Sequence, residues 1–484
     1  MTVPERTETR RRDALRTLDP REQARLGQFF TPAGASDLIA SLVRLDDLPA
    51  TVRILDPGAG VGSLTVALVE RIRRERPDVS LHVVAVEIDA GVVPILGATL
   101  EDLRAEHGVT TELVQGDFIA LATGEDPRVT GPFDLVIQNP PYGKLAASDP
   151  NRRAVGRAVV DVPNTYAAFW ALGIRSLAPA GQCVAIVPRS WANGTYFEPF
   201  RVWMLLHLGI DCLHVFESRT TVFADTGVLQ ENVVVCGTRG SEPQKVKLSV
   251  SVGHADDIET NIVPIDVVIQ PDDPRKFVRF TDGATSVPAA AVYTLDDIGI
   301  TASTGRVVDF RSRSWLVDAP EADAVPMVYQ GNIRSGSVIH PRSEVSKPQY
   351  YRAADPDAAK WLVPEGTYVL VKRFSAKEER RRVVAGMWEG AGPVAFDNKT
   401  NYLHARGHGL DPDLARGLML WLNSTPLDQV FRTFSGHTQV NAGDLRVLPF
   451  PSREHLVELG RALPTGDLPE QELIDKLVAD AVGD

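Results

Sequence analysis

The stretch TVRILDPGAGVGSLT, residues Thr51 to Thr65, decides the fold. Its first part is a β-branched apolar run with the composition of a buried strand. Asp56 and Pro57 then lead into three glycines, Gly58, Gly60 and Gly62. Glycine lets a backbone turn tightly and approach a ligand without interference from a Cβ. The helical spacing of SLTVALVERIRRER follows at once, so the stretch opens a strand–turn–helix unit. No P-loop lysine accompanies the glycines, which argues against a triphosphate.

The unit repeats downstream. LHVVAVEID (81–89) is a second buried strand and TELVQGDF (111–118) a short third. FDLVIQNPPYG (133–143) is a fourth, TYAAFWALGIRSLAPAGQ (165–182) a helix and CVAIVPRSW (183–191) a fifth strand. HVFESRTTVFADTGVLQENVVVCGT (214–238) reads as two strands around a Gly/Asp turn that closes the sheet. Such alternation specifies a doubly wound, mainly parallel α/β sheet that binds ligands at the carboxyl ends of its strands. Beyond Arg239 strands shorten and Pro, Asp and Arg rise. The chain is therefore divided into a first domain at 1–245, a second at 246–452 and a helix–break–helix tail at 453–484, whose acidity makes it a poor surface for nucleic acid.

The bulk numbers are those of a globular protein: 484 residues, 44% hydrophobic and 24% charged. No apolar run approaches the ~18 residues of a membrane span, and the charged N-terminus lacks a signal peptide's apolar centre, so a cytoplasmic location is expected. Cys183, Cys212 and Cys236 sit in strand-like runs and read as core residues, and the ten histidines form no ligand pair. No metal site is expected. The net charge of −12 does not exclude nucleic acid, because binding depends on local patches. Residues 301–382 hold fourteen Lys/Arg against ten Asp/Glu.

Three carboxylates mark successive strand ends. Asp56 precedes the glycines, where it can meet a cationic amine. Glu87 ends the second strand, where an acid accepts from ribose hydroxyls. Asp117 ends the third, placed to accept from an adenine amino group. Each alone reads as a surface residue or a helix N-cap. Together they suggest S-adenosylmethionine. Upstream, GQFFTP (27–32) precedes an amphipathic helix; Thr31 as N-cap and Pro32 at the first helical position account for Thr-Pro but leave Gly27 to Phe30 unexplained.

GQFFTP, DPGAGVGSL, VEID, GDF and NPPYG, in that order, resemble the gamma-class adenine-N6 DNA methyltransferases of restriction–modification systems over residues 25–240. The resemblance implies a class I, Rossmann-like methyltransferase domain followed by a mixed α/β target-recognition domain, with double-stranded DNA as substrate. It implies that Thr31 touches the methionine part of the cofactor, that Asp56, Gly58 and Gly60 line the same pocket, and that Glu87 holds the ribose and Asp117 the adenine. Phe118 or Phe169 packs on that adenine. The reacting group would be an exocyclic amine, a poor nucleophile whose lone pair is delocalised into the ring. Asn139 offers a side-chain carbonyl and Pro140 a main-chain carbonyl to its N–H bonds. Pro140 and Pro141 restrict the loop so that both acceptors are preset. Tyr142 offers a face for a base flipped out of the duplex. By resemblance Phe223 supplies a second aromatic.

The second half resembles, more loosely, the recognition region of the Pst/Bsu-type members. ASTGRVVDFRSRSW, YQGNIRSG, LVKRFSAKEERRRVVAG and NKTNYLHA interleave Arg/Lys with Ser, Asn and aromatics, the chemistry of phosphate and base-edge contact. FSGHTQVNAGDLRVLPFPS (434–452) resembles the close of that region. No nuclease carboxylate–lysine cluster appears, so a cognate restriction endonuclease would act as a separate chain. The alternative is an amino-methyltransferase acting on RNA or a protein glutamine. Those families share the Asn-Pro-Pro-Tyr loop, and they lack GQFFTP and a large C-terminal domain.

Overall fold

The computed structural model describes residues 1–17, 27, 30–216, 232–254, 258–281, 288, 290–334, 336–375, 379–435, 439–463 and 468–482. The chain divides into two compact units, Met1–Gly283 and Ala284–Asp484.

In the first unit the described helices of six or more residues are α1 (Val3–Thr17), α2 (Ala33–Ser41), α3 (Ser63–Glu75), α4 (Val93–His107), α5 (Phe118–Thr123), α6 (Pro150–Ala158), α7 (Thr165–Arg175) and α8 (Glu198–His207). The strands are β1 (Thr51–Pro57), β2 (Ser80–Glu87), β3 (Thr110–Gln115), β4 (Phe133–Gln138), β5 (Leu177–Pro188), β6 (Leu208–Phe216), β7 (Asn232–Arg239), β8 (Lys245–Ser251) and β9 (Glu259–Pro264). Among the described residues they form one sheet in the order β3-β2-β1-β4-β5-β7-β6-β8-β9. β1 pairs in parallel with β2 on one side and β4 on the other. Strand order therefore reverses at β1, and a crevice opens at the carboxyl ends of β1 and β4.

Alternation along the strands feeds two cores. Leu55, Val84 and Val86 join one with Ala168, Trp170 and Phe200, while Ile54, Val83 and Ala85 join the other with Leu68, Leu96 and Ile39. Period-two burial on both faces is what a doubly wound sheet requires, and it accounts for the near-continuous apolar runs. The helix expected over 165–182 stops at Arg175, and β5 starts at Leu177. The early start accompanies a register shift against β4 and a left-handed Ala180 at φ 61°.

The domain limit expected at 245/246 is corrected. β8 pairs in parallel with β6, from Cys212↔Lys247 to Phe216↔Ser251, and β9 adds antiparallel to β8. The sheet thus continues past residue 245, and its unit ends at Gly283. β8 alternates polar with apolar residues and β9 is largely exposed, unlike the mostly buried β1, β2 and β4, so these outer strands read as irregular.

The second unit holds a larger sheet that includes Thr301–Thr304, Thr400–His404, Gly366–Lys372 and Ala385–Gly390, and a smaller one that includes Ala324–Val328 and Tyr350–Arg352. Helices Pro412–Leu422, Arg453–Ala462 and Gln471–Val482 share a core with Val369, Val371 and Leu403 of the larger sheet. Residues 453–482 are consequently part of this unit, which corrects the reading of a separate tail. Leu456, Leu459, Ile474 and Val478 are all buried in the core. Two glycines permit the close approach: a Cβ at Gly417 would collide with the Leu456 carbonyl, and one at Gly460 with the Asp413 carbonyl. Both obstacles are backbone. Gly417→Ala is expected to destabilise the protein by about 1–3 kcal/mol, measured as a lowered unfolding midpoint. Ser→Ala at exposed Ser343 serves as the unaffected control.

Candidate active site

Each strand end of the first unit delivers one functional group. After β1, Gly58, Gly60 and Gly62 adopt φ of +77°, +57° and +89°. The N–H groups of Gly58 and Ala59 donate to Val86 O at 2.9 and 2.8 Å, which ties the loop to the end of β2. A Cβ at Gly60 would stand 2.9 Å from the Phe30 ring, and one at Gly58 3.3 Å from Phe169. Only a side-chain-free backbone fits between these rings.

Asp56 is 1% exposed. Its Oδ2 accepts from the Thr65 hydroxyl at 2.6 Å, and its Oδ1 has no partner among the described residues. Burial pushes its carboxyl up to about 7, opposed by the Thr65 hydrogen bond and reinforced by the charge of Glu87. Glu87 is also buried. It accepts from Gly60 N–H at 2.9 Å and from Asp89 N–H at 2.8 Å, and burial raises it against those hydrogen bonds. Two buried acids thus face one cleft.

That cleft, of about 610 Å³, is lined by Phe30, Thr31, Asp56, Gly60, Glu87 and Asn139 among others. A second one, of about 700 Å³, is lined by Asp117, Phe118, Leu145, Asn151 and Thr165. Gly58, Ile88, Pro141 and Phe169 line both, so the two are adjoining compartments. Asp117 caps α5, with Oδ1 accepting from Ile119 N–H at 2.9 Å, while Oδ2 accepts from Asn151 at 3.3 Å. Phe118 and Phe169 meet at 5.1 Å between ring centroids. Both rings line the second compartment.

The groups present fit S-adenosylmethionine. The unpartnered Asp56 Oδ1 and raised Glu87 answer a positive charge and hydroxyl donors. The glycine turn leaves room where side chains would fill it, and two aromatic rings flank the compartment that holds Asp117.

Asn139, directly after β4, is held from two sides. Its Nδ2 donates to Thr31 Oγ1 at 3.0 Å, and its Oδ1 accepts from the Tyr142 hydroxyl at 3.2 Å. Tyr142 stands edge-on to Tyr166 at 6.3 Å, and Tyr166 in turn stacks on Phe197 at 5.5 Å. Pro140 is buried and Pro141 lines both compartments. Phe223 lies outside the described residues, as do Gln28 and Phe29.

The N-terminal segment is explained differently from expectation. Pro32 is the N-cap of α2, with no side-chain cap, and the Thr31 hydroxyl turns to Asn139 instead. Gly27, at φ +63°, lies where a Cβ would sit 2.9 Å from Tyr142 N and 3.3 Å from the Pro141 side chain. Phe30 is buried under the glycine turn. Gly27, Phe30 and Thr31 therefore form a strap over the Asn-Pro-Pro-Tyr loop and the glycine turn. Asn151 was missed by sequence reasoning, since a lone asparagine in a helix's first turn is unremarkable.

The three cysteines are free and buried, and no cluster of His, Cys, Asp or Glu suited to a metal occurs among the described residues. Nor is any described helix long and apolar enough to cross a membrane. In the second unit the KEERRR run is partly spent on structure. Arg382 is 1% exposed, its backbone N–H on Asp428 and its guanidinium over Phe431, and Arg381 donates to Asn423 O at 2.8 Å. Phe374, by contrast, is exposed beside half-buried Arg373, Gln330 and Gln439.

Comparison with known proteins gives a consistent picture. The family model described as Eco57I restriction-modification methylase matches residues 97–223. The chain is 37% identical to the type II methyltransferase M.BsuBI of Bacillus subtilis, over 92% of each chain. It is 36% identical to the type II methyltransferase M.PstI of Providencia stuartii, over 97% of this chain and 95% of that one. The type IIL restriction-modification enzyme MmeI, solved in complex with DNA, shares the fold with TM-score 0.57 at 12% identity, over 89% of this chain and 70% of that one.

Asp56 generates a prediction with a definite sign. Its folded value, about 7, lies above its ordinary 3.8, so the ligand-free fold loses stability as pH rises between them and bears the full cost above about 7. Asp56→Asn keeps an acceptor for Thr65 and cannot ionise. It is expected to unfold later than wild type at pH 8, by on the order of 1–4 kcal/mol. Denaturant titrations should show the gap narrowing steadily as pH falls from about 7 to about 4.

Proposed function

The chain belongs to the gamma-class type II restriction–modification methyltransferases, enzymes that methylate DNA from S-adenosylmethionine, and we propose that it methylates the N6 amine of a flipped adenine in duplex DNA. The observation that carries this reading is Asn139, pinned between Thr31 and Tyr142 at the rim of the cofactor cleft.

When bound, S-adenosylmethionine supplies a methyl group already activated by its sulfonium. Asp56 and Glu87 hold the cationic and hydroxylated parts in the first compartment, and Asp117 with Phe118 and Phe169 holds the adenine in the second. Asn139 acts on the target amine. Its Oδ1 is the acceptor for an N–H of the adenine. The Pro140 carbonyl accepts the other N–H. Drawn by both acceptors, the nitrogen becomes more pyramidal and its lone pair more available. Because the loop is strapped from behind by Gly27 and Thr31, the acceptors are in place before the substrate arrives, and positioning supplies most of the catalysis. Tyr142 offers a face to the flipped base, with Phe223 as its second aromatic.

The second unit reads the target sequence through exposed residues such as Phe374 and its polar neighbours. The inward-facing Arg381 and Arg382 are support. Protection against a cognate endonuclease is the cellular role, exercised in the compartment that holds the DNA.

Asn139→Ala is expected to cut methyl transfer by about 10²–10³ with S-adenosylhomocysteine affinity near wild type. Thr31→Val, which removes only the hydroxyl that orients Asn139, should cost roughly tenfold. Mass spectrometry of nucleosides from methylated DNA should show N6-methyladenine. A modified cytosine amine as the sole product would overturn the assignment of the base. DNA affinity should fall steeply with salt, as phosphate contacts require.

A further inference from the structure

Between the Asn-Pro-Pro-Tyr loop and α7 the chain makes an excursion, residues 145–163, that returns to its start. Leu145 N–H donates to Pro163 O at 2.9 Å and Thr165 N–H to Gly143 O at 2.8 Å, and Lys144 bridges to Asn164. Arg152 closes the excursion from within. Its guanidinium donates to Asp161 at 2.7 and 2.6 Å and to Leu145 O at 3.2 Å. Leu145, Val155 and Val162 are buried in the core of the sheet. An excursion pinned at so many points is a wall, and through Leu145 and Asn151 it lines the second compartment.

Asn151 is held in turn. Asp149 caps α6 by accepting from the Asn151 N–H at 2.8 Å, which sets the backbone from which the side chain reaches Asp117. The Asn151 Nδ2 donates to Asp117 Oδ2 at 3.3 Å, and the other Asp117 oxygen accepts from Ile119 N–H at 2.9 Å. The carboxylate is thus fixed from two separate elements by neutral donors, and no ion pair to it occurs among the described residues. Each oxygen keeps a lone pair beyond those two bonds. Held at Oδ1 alone, the group would pivot about its terminal torsion, which is broad and weakly restrained.

We propose that Asn151 is a positioning residue for the cofactor's adenine: it fixes the Asp117 carboxylate so that its remaining lone pairs meet the 6-amino group, and thereby sets the preference for a 6-aminopurine over a 6-oxopurine. The inference rests on the reading of Asp117 as the adenine's acceptor. An amino group donates to a fixed carboxylate, whereas a carbonyl at the same position opposes it with its own lone pairs.

The test is equilibrium binding of S-adenosylhomocysteine and S-inosylhomocysteine to the full-length protein, free of DNA. Wild type should prefer the adenosyl compound by roughly tenfold or more, the worth of one charge-assisted hydrogen bond. Asn151→Ala should erase most of that preference, chiefly by weakening the adenosyl compound. Asn151→Asp, nearly isosteric, should weaken the adenosyl compound further by setting a like charge beside Asp117, and should regain affinity as the pH is lowered. It gives a second readout if the alanine variant folds poorly. Equal weakening of both compounds in Asn151→Ala would mean that the wall is merely structural and would overturn the proposal. So would an unchanged preference in Asn151→Ala alongside its loss in Asp117→Ala, which would leave the adenine assignment standing. A preference that survives Asp117→Ala would overturn that assignment and the inference together.

Discussion

The parallel seating of β1 between β2 and β4 is the constraint on which the site depends. Parallel strands start and finish together, so their carboxyl ends form one edge. Asp56, Glu87, Asp117 and Asn139, far apart in sequence, all belong to that edge because each ends or follows one of four adjacent parallel strands. The register is specified by burial on both faces. A shift of one residue would turn Ile54 and Leu55 to the wrong cores and carry Asp56 away from the cleft.

The same edge is electrostatically unfinished. Asp56 and Glu87 are both buried and line one cleft, no ion pair to either occurs among the described residues, and burial pushes both towards protonation. A fold tolerates such a pair when binding recovers the cost, because a ligand that favours the native state adds its binding free energy to stability. The acceptor set is therefore matched to a cationic partner rich in hydroxyl groups, and the lone pairs of Asp56 Oδ1, unpartnered among the described residues, are part of that match.

Much of this was legible in the sequence. Apolar runs, glycines at a turn and acids at strand ends are local features, and the physics behind them acts over a few residues. What escaped was set by neighbours. β8 and β9 were legible as strands but were assigned to the second domain, because nothing in a short, partly polar strand says which sheet it joins; only its pairing with β6 does. The segment after Ser452 was taken for a tail because its overall acidity is visible in sequence, while the fit of Gly417 and Gly460 against facing carbonyls is not. The segment LVKRFSAKEERRRVVAG read as one suited to phosphate contact, since charge alone does not say that one of its arginines, Arg382, lies over Phe431.

By itself, then, the sequence determined the doubly wound sheet, its order of elements and the chemical groups at its carboxyl edge, because hydrophobic periodicity and turn chemistry are written residue by residue. Only the tertiary structure decided what those groups do to one another. Thr31 became the partner of Asn139 instead of a helix cap, Gly27 and Phe30 became a strap, and Asn151 came to rest on Asp117. Each is a contact between segments separated by tens of residues or more. Such contacts have no local signature; they exist because the packed sheet brings distant loops within hydrogen-bonding distance.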